Sequence, residues 1–487
     1  MLPSLALGNC MPGAFRLPCS FYRGGTSKGL LWSTSTLSPY PPAARDKLIC
    51  RAMGSPDPDK RQIDGLGGGI SSVSKTAIVG PPNSALASQL AAKGISFKDG
   101  IDFADDQRLA ADKEKGWDLV YRFGQVPVQK GTQIDWTSTC GNLVSAVALF
   151  GLHQGHVPQS RIGAVFEQKQ ARPAKVGDKF SFPVRLMVTS SGQIIRANVP
   201  VTLHSNSQGS IWYPDLQGST TISGVPGTAP GILIETPLDT CSLLPTGNQL
   251  DTLHLNGTSF PVTIINAGLP TIFISSSSIP NTVLDPVQLA ALSPSDLDAN
   301  RPLMTLLEDL RQASATLSPF LGKTMSPSAP KICIVHPKPK EGYTTTGGDR
   351  VEEGEMHLLI RAVSVGNLHR TVPATCLSAL AVGRALREST IEKAVQAGAS
   401  GASGASGASG ASGVRGKKGE AEQGEGILSI TVGQPAGVSE ASVKTRAATQ
   451  QDKSKGLQVV PESIVYYRTA RRIMDGCVDL AHSLVSS

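Results

Sequence analysis

Two stretches of this sequence open an apolar helical pattern on threonine and cysteine: TSTCGNLVSAVALF from Thr137 and RTVPATCLSALAVG from Arg370. In the first, Leu143, Val147 and Phe150 recur at the spacing of one helix face across Gly141 to Leu152. In the second the pattern runs from Thr371 to Lys393 through Leu377, Leu380, Ala381 and Ala385. Around them lie short segments bounded by Gly, Pro, Ser or Asn that read as strands. KTAIVG, DLVYRFGQV and FSFPVRLMVTS accompany the first helix, and FPVTIINAG, KICIVHP and GILSITVG the second. The class implied is α+β, with sheets that wrap around a small number of helices. The recurrence is compatible with two similar lobes facing each other across a cleft. Further helices are expected at Asp285–Leu292 and Leu303–Ser314, and a closing one over Val465 to Leu484.

Composition narrows the partners. Apolar residues make up 40% and charged residues 17% of the 487, which suits a globular chain. No window approaches the roughly 18 apolar residues of a membrane span. The formal charge of +7 is dispersed, and its one compact cluster, RGKKGE from Arg415, runs straight into acidic residues. That cluster reads as a solvated loop, so neither nucleic acid nor membrane is expected as a partner. The eight cysteines stand singly, with no CxxC pair. They fit reduced thiols in a cytosolic enzyme better than a disulfide framework or a zinc site, and no metal is expected. The first fifteen residues lack the marks of a signal peptide. The expected location is the cytoplasm, and their lack of acidic residues keeps a mitochondrial presequence open. Ala397 to Gly413 repeats GAS and offers no apolar face, so a disordered insertion is expected over 395–425.

Four stretches could carry chemistry. DGLGGGISSVSK, Asp64 to Lys75, has the glycines of an anion cradle. Its lysine stands in the wrong place for G-x-x-x-x-G-K-[ST], so nucleotide binding is disfavoured. TCGN, Thr139 to Asn142, sets Cys140 at a helix start, where the helix dipole favours thiolate. FYRGGTSKG, Phe21 to Gly29, offers Arg23 for a bidentate carboxylate contact. SVGNLHRTVPATC sets His369 just before the second helix, with Cys376 early inside it. Each alone has a plain structural reading: a glycine turn, a buried thiol, a surface turn, a core histidine. Together they suit proton transfer at a carbon next to a carboxylate, with backbone donors stabilising an enolate-like intermediate.

Taken in order, FYRGGTSKG, QIDGLGGGISSVSKTAIV, DLVYRFGQV, CGNLVSAVALFGL, ISGVPGTAPGILIE, LLPTGN, PKICIVHP, SVGNLHRTVPATC and YYRTARRIMDG resemble the 2-methylaconitate cis-trans isomerase (PrpF-type) family. The resemblance covers almost the whole chain from about Leu17 to about Cys477, sparing the GAS insertion. It implies a diaminopimelate epimerase-like fold of two pseudo-symmetric lobes, each a sheet around a central helix, with the substrate in the cleft. The limits implied are an N-terminal tail over 1–16, a first lobe over 17–221 and a second over 222–487 whose closing helix packs back on the first.

The resemblance also implies cofactor-independent isomerisation of small unsaturated di- or tricarboxylates. It maps the family's lysine to Lys75 and its cysteine to Cys140. Substrate carboxylates would be held by Arg23, Thr26, Ser27, Gly68, Gly69, Ser71, Gly141 and Asn142, with Lys331, Ser364 and His369 from the second lobe. Other isomer pairs of the same family stay open, as an aconitate or methylitaconate delta-isomerase or an oxalomesaconate tautomerase. So do a non-catalytic carboxylate-binding paralogue and a homodimer. The sequence departs from the family pattern at QPAG (Gln434 to Gly437, usually HPSG), at ATC (Ala374 to Cys376, usually a Thr-Gly pair) and at NAGLP (Asn266 to Pro270).

Overall fold

The computed structural model describes residues 14–81, 117–136, 140–190, 192–207, 209–222, 225–326, 329–364, 367–400, 426–454, 456–481 and 484. Residues 1–13 of the expected tail and most of the GAS insertion lie outside them. The described residues form two units: one runs to Thr236 and resumes at Tyr467, and the other spans Pro237–Tyr466.

In the first unit every residue from Val144 to Leu152 is buried, because a helix this apolar has no face to give to water. The strands around it are β1 (Ala14–Gly24), β2 (Ser27–Ser33), β3 (Lys75–Gly80), β4 (Leu119–Gln125), β5 (Lys179–Val188), β6 (Ile194–Asn206), β7 (Gly209–Pro214) and β8 (Ile232–Pro237). Helix α1 (Pro42–Met53) joins β2 to β3, while α2 (Val144–His153) and α3 (Gln159–Gln170) join β4 to β5. The sheet runs from β1 to β6 in chain order, with β7 and β8 sharing the far edge of β6. The pairs β2–β3 and β4–β5 are parallel, and the other neighbours are antiparallel. Each parallel pair is bridged by helix, as a crossover requires. The sheet curls around α2, which packs on β1, β3, β4, β6 and β7.

The second unit repeats this plan. Its strands are β9 (Asp251–Leu255), β10 (Thr258–Asn266), β11 (Pro270–Ser275), β12 (Lys331–Pro337), β13 (Leu358–Ser364), β14 (Gly426–Gln434), β15 (Gly437–Ala447) and β16 (Val459–Arg468). From β10 to β15 the sheet again alternates antiparallel and parallel pairs in the same series. Helix α4 (Arg301–Ala313) crosses from β11 to β12, and α5 (Ala374–Arg384) and α6 (Thr390–Ser400) lie between β13 and β14. Both faces of β12 are covered. Cys333 and Val335 join the core around α5, while Ile332 and Ile334 join the one under Leu303, Leu307 and Leu310 of α4. A strand buried on two sides reads as the continuous apolar run KICIV.

Three expectations are corrected. The helix over Thr371 to Lys393 is broken into α5 and α6, because the Ser389 hydroxyl accepts from the Glu392 N–H and starts a new helix. Asp285–Leu292 holds a single 3-10 turn, Pro286–Gln288. In place of the closing helix stand two strands: β16 pairs with β15, and β17 (Ala470–Ala481) pairs with β1 along Ala14–Gly24. That pairing also takes Ala14, Phe15 and Arg16 out of the expected tail. Leu303–Ser314 does form its helix as α4, with Asn300 capping it by accepting from the Leu303 N–H. Among the described residues no helix is long and apolar enough to cross a membrane.

Candidate active site

Lys75 is the first residue of β3, and the register places it beside Gly29 of β2 on one side and Gln125 of β4 on the other. Its ammonium donates to Gln125 Oε1 at 2.7 Å and lies 5.3 Å from the centre of the Phe123 ring. The side chain is largely buried, at 9% exposure. Cys140 stands before α2, and its carbonyl accepts from the N–H groups of Leu143 and Val144 at 3.0 and 3.2 Å. It therefore opens the first turn of the helix. Its sulfur lies 3.9 Å from the Ser27 hydroxyl. Ser27 and Gly29 are two residues apart on β2, so one short stretch of strand carries the contacts of both Cys140 and Lys75.

The turn between β1 and β2 presses on the start of the helix. Asn142 donates to the Thr26 hydroxyl at 3.1 Å and accepts from Arg468 Nε at 2.8 Å. Gly25 has φ +54, and a Cβ there would meet Asn142 Oδ1 at 2.5 Å. Only glycine fits both the left-handed backbone and that approach. Arg23 Nη1 donates to the carbonyls of Gly25 and Thr469, each at 3.0 Å, and to the Thr469 hydroxyl at 3.1 Å. Arg471 faces Arg23 directly across β1 and β17. Burial and that second guanidinium push the Arg23 pKa down. Like charges directly opposite one another destabilise a sheet. A carboxylate ligand would relieve this pair.

The glycine loop is held from inside by Gln62, only 1% exposed. Its Oε1 accepts from the Gly69 N–H at 2.9 Å and the Ser74 hydroxyl at 2.5 Å, while its Nε2 donates to the Ser55 hydroxyl at 2.7 Å. The Gly69 N–H, expected to face substrate, is thus committed to Gln62. At Gly68 a Cβ would meet Val73 Cγ2 at 2.3 Å, so there too glycine serves close packing. Ser71 is exposed and starts a 3-10 turn, Ser71–Val73. Gln62→Leu strands three polar groups in the interior and is expected to cost about 3 kcal/mol in chemical denaturation. A loss below about 1 kcal/mol would mean the loop is anchored elsewhere.

The second unit holds the remaining expected residues. Lys331 opens β12 as Lys75 opens β3, and it lies beside Thr271 of β11. His369 donates its backbone N–H to the Ala362 carbonyl at 2.8 Å. Burial and the Lys331 charge push its imidazole pKa down. Ser364 ends β13 opposite Asn367. Cys376 is fully buried in α5, 3.9 Å from the Thr271 hydroxyl and hydrogen-bonded to Cys333. Where the family reads histidine, Gln434 accepts from the Val372 N–H just before α5 and donates to the Ser439 hydroxyl at 2.7 Å. Sequence reasoning missed Gln62, Gln125, Arg468 and Thr469. All four stood within quoted motifs, but only strand register and loop closure give them partners.

The family described as PrpF protein matches residues 14–87 and 108–430. The 2-methyl-aconitate isomerase of Shewanella oneidensis is 29% identical over 80% of this chain and 86% of its own. The 4-oxalomesaconate tautomerase of Pseudomonas putida is 32% identical over 68% of this chain and 73% of its own. A crystal structure of methylitaconate-delta-isomerase superposes with a TM-score of 0.64 at 22% identity, covering 98% of each chain, and shares the fold. The chain belongs to the PrpF family, and it is an isomerase with a diaminopimelate epimerase-like fold.

Proposed function

We propose that this protein isomerises small unsaturated di- or tricarboxylates of the 2-methylaconitate and aconitate type, with Lys75 and Cys140 as its acid–base pair. The observation that carries the reading is the convergence on β2: Ser27 meets the Cys140 sulfur, and Gly29 lies beside Lys75. Arg23 lies opposite Arg471 across β1 and β17, with no carboxylate paired to either among the described residues, which suits a substrate bearing several carboxylates. Relatives named for 2-methyl-aconitate and 4-oxalomesaconate support the same substrate class.

In the proposed reaction one of the two groups takes an allylic proton. The C–H pair passes into the conjugated carboxylate, giving a dienolate, and the other group or the same one returns a proton to carbon. Reprotonation at the original carbon after rotation exchanges cis and trans. Reprotonation at the far end of the allyl system moves the double bond. Cationic side chains hold the charge that develops.

Incubation with a panel of unsaturated di- and tricarboxylates in heavy water, followed by proton NMR, tests this. The expected result is an isomer carrying solvent deuterium at the allylic carbon. The product's geometry tells cis-trans exchange from double-bond migration. A panel left unchanged by stoichiometric enzyme would overturn the reading.

A further inference from the structure

Gln125 faces Lys75 across the antiparallel register of β3 and β4. Its amide orientation is fixed by its own hydrogen bonds. Nε2 donates to the carbonyls of Ser71 and Ser74, at 3.1 and 2.9 Å. With the nitrogen committed to two acceptors, Oε1 must face the lysine, and it lies 2.7 Å from Nζ. One side chain thus joins the end of the glycine loop to the lysine nitrogen. Behind them, the Val126 N–H donates to the Ser74 carbonyl at 3.1 Å and closes the same corner.

We propose that Gln125 is the positioning residue for Lys75: it occupies one N–H of the lysine, fixes the nitrogen relative to the glycine loop, and leaves its charge unneutralised. This rests on the reading of Lys75 as a proton carrier. A proton carrier must both hold and release its proton, and the neighbour's charge decides how easily it does so. A carboxylate in this place would grip the ammonium. It would also turn an oxygen toward the Ser71 and Ser74 carbonyls, where the amide presents a donor. A neutral amide orients without either effect. Phe123 beneath the nitrogen supplies only the weaker attraction of a ring face.

The experiment compares Gln125→Glu and Gln125→Met in protein labelled with 13C at lysine Cε, the Lys75 signal being assigned by its loss in Lys75→Met. In Gln125→Glu the titration midpoint of that signal is expected to rise by about one pH unit. In Gln125→Met it is expected to fall, and kcat to drop roughly 10- to 100-fold with KM within about threefold. A purely structural glutamine would lower stability in both variants without displacing the midpoint in opposite directions. Midpoints unchanged to within about 0.2 in both variants would overturn the proposal. So would wild-type kcat in Gln125→Met. Methionine matches glutamine in length and carries the test if the glutamate variant does not fold. If the wild-type protein isomerises no polycarboxylate, the functional reading fails on its own panel, while the lysine titration still judges the tether.

Discussion

Replacing Lys75 by methionine is expected to lower kcat for polycarboxylate isomerisation by about a thousandfold, and Cys140→Ser by about a hundredfold or more. Methionine matches the lysine stem and keeps its packing on Phe123, so the first unit should stay folded. Serine keeps a hydroxyl within reach of Ser27 but loses the acidity of a thiol. The double variant should lose little more than the worse single one, because two groups on one proton path act as a unit. Deuterium wash-in separates the roles. Loss of the group that takes the proton abolishes exchange into unreacted substrate. Loss of the group that returns it leaves exchange running while isomerisation stops. Full exchange and turnover in both variants would remove Lys75 and Cys140 from the mechanism.

How much of this could be read beforehand depended on whether the signal was local. The buried helix at Val144–His153 announces itself by an apolar run that no exposed helix could carry. The glycine loop and the cysteine at the helix start were legible for a similar reason, since both are short chemical patterns. The final strand was not. Ala470, Met474, Cys477 and Ala481 recur three and four residues apart, which imitates a helix face. What decides otherwise is pairing with β1, whose residues lie more than 440 positions earlier (Arg23 with Thr469, for example, |i−j|=446). Gln62 and Gln125 were missed for the same cause. A glutamine announces nothing until the fold shows whom its amide meets.

The repeated plan of the two units sharpens this point. Lys331 and Cys376 hold places in the second unit that correspond to Lys75 and Cys140 in the first, and a hydroxyl attends each thiol. Yet Cys376 is sealed in the core against Cys333, whereas Cys140 is partly exposed. The burial of Cys333 and the Cys376 contact raise the Cys333 pKa well above that of a free thiol. Topology alone therefore does not make a site: the same thiol position carries packing in one unit and candidate chemistry in the other.

The largest effect on stability is expected at Asp118, one residue before β4. Its carboxylate is 2% exposed and accepts from Arg161 Nε at 3.0 Å, Arg185 Nε at 3.1 Å, Arg185 Nη2 at 3.0 Å and the Arg185 backbone N–H at 2.9 Å. Both arginine side chains are nearly as buried, at 10% and 4%. One carboxylate thus ties α3 and β5 to the start of β4, the strand whose register sets Gln125 against Lys75. Building such a cluster gains little over a well-packed apolar one, but removing its anion takes from two buried guanidinium groups the carboxylate they share. Asp118→Ala is therefore expected to destabilise the first unit by about 3–5 kcal/mol. The loss should appear as an early unfolding step in denaturant, because two units need not unfold together. Asp479→Asn, which breaks the exposed Arg16–Asp479 pair at 3.0 Å, serves as the control and should leave that step in place. Replacing Arg161 and Arg185 by methionine along with Asp118→Leu should recover much of the loss, since the penalty lies in stranded charge and not in lost volume. If Asp118→Ala costs no more than the Asp479 control, Asp118 does not hold β4, and the register beneath Lys75 has another anchor.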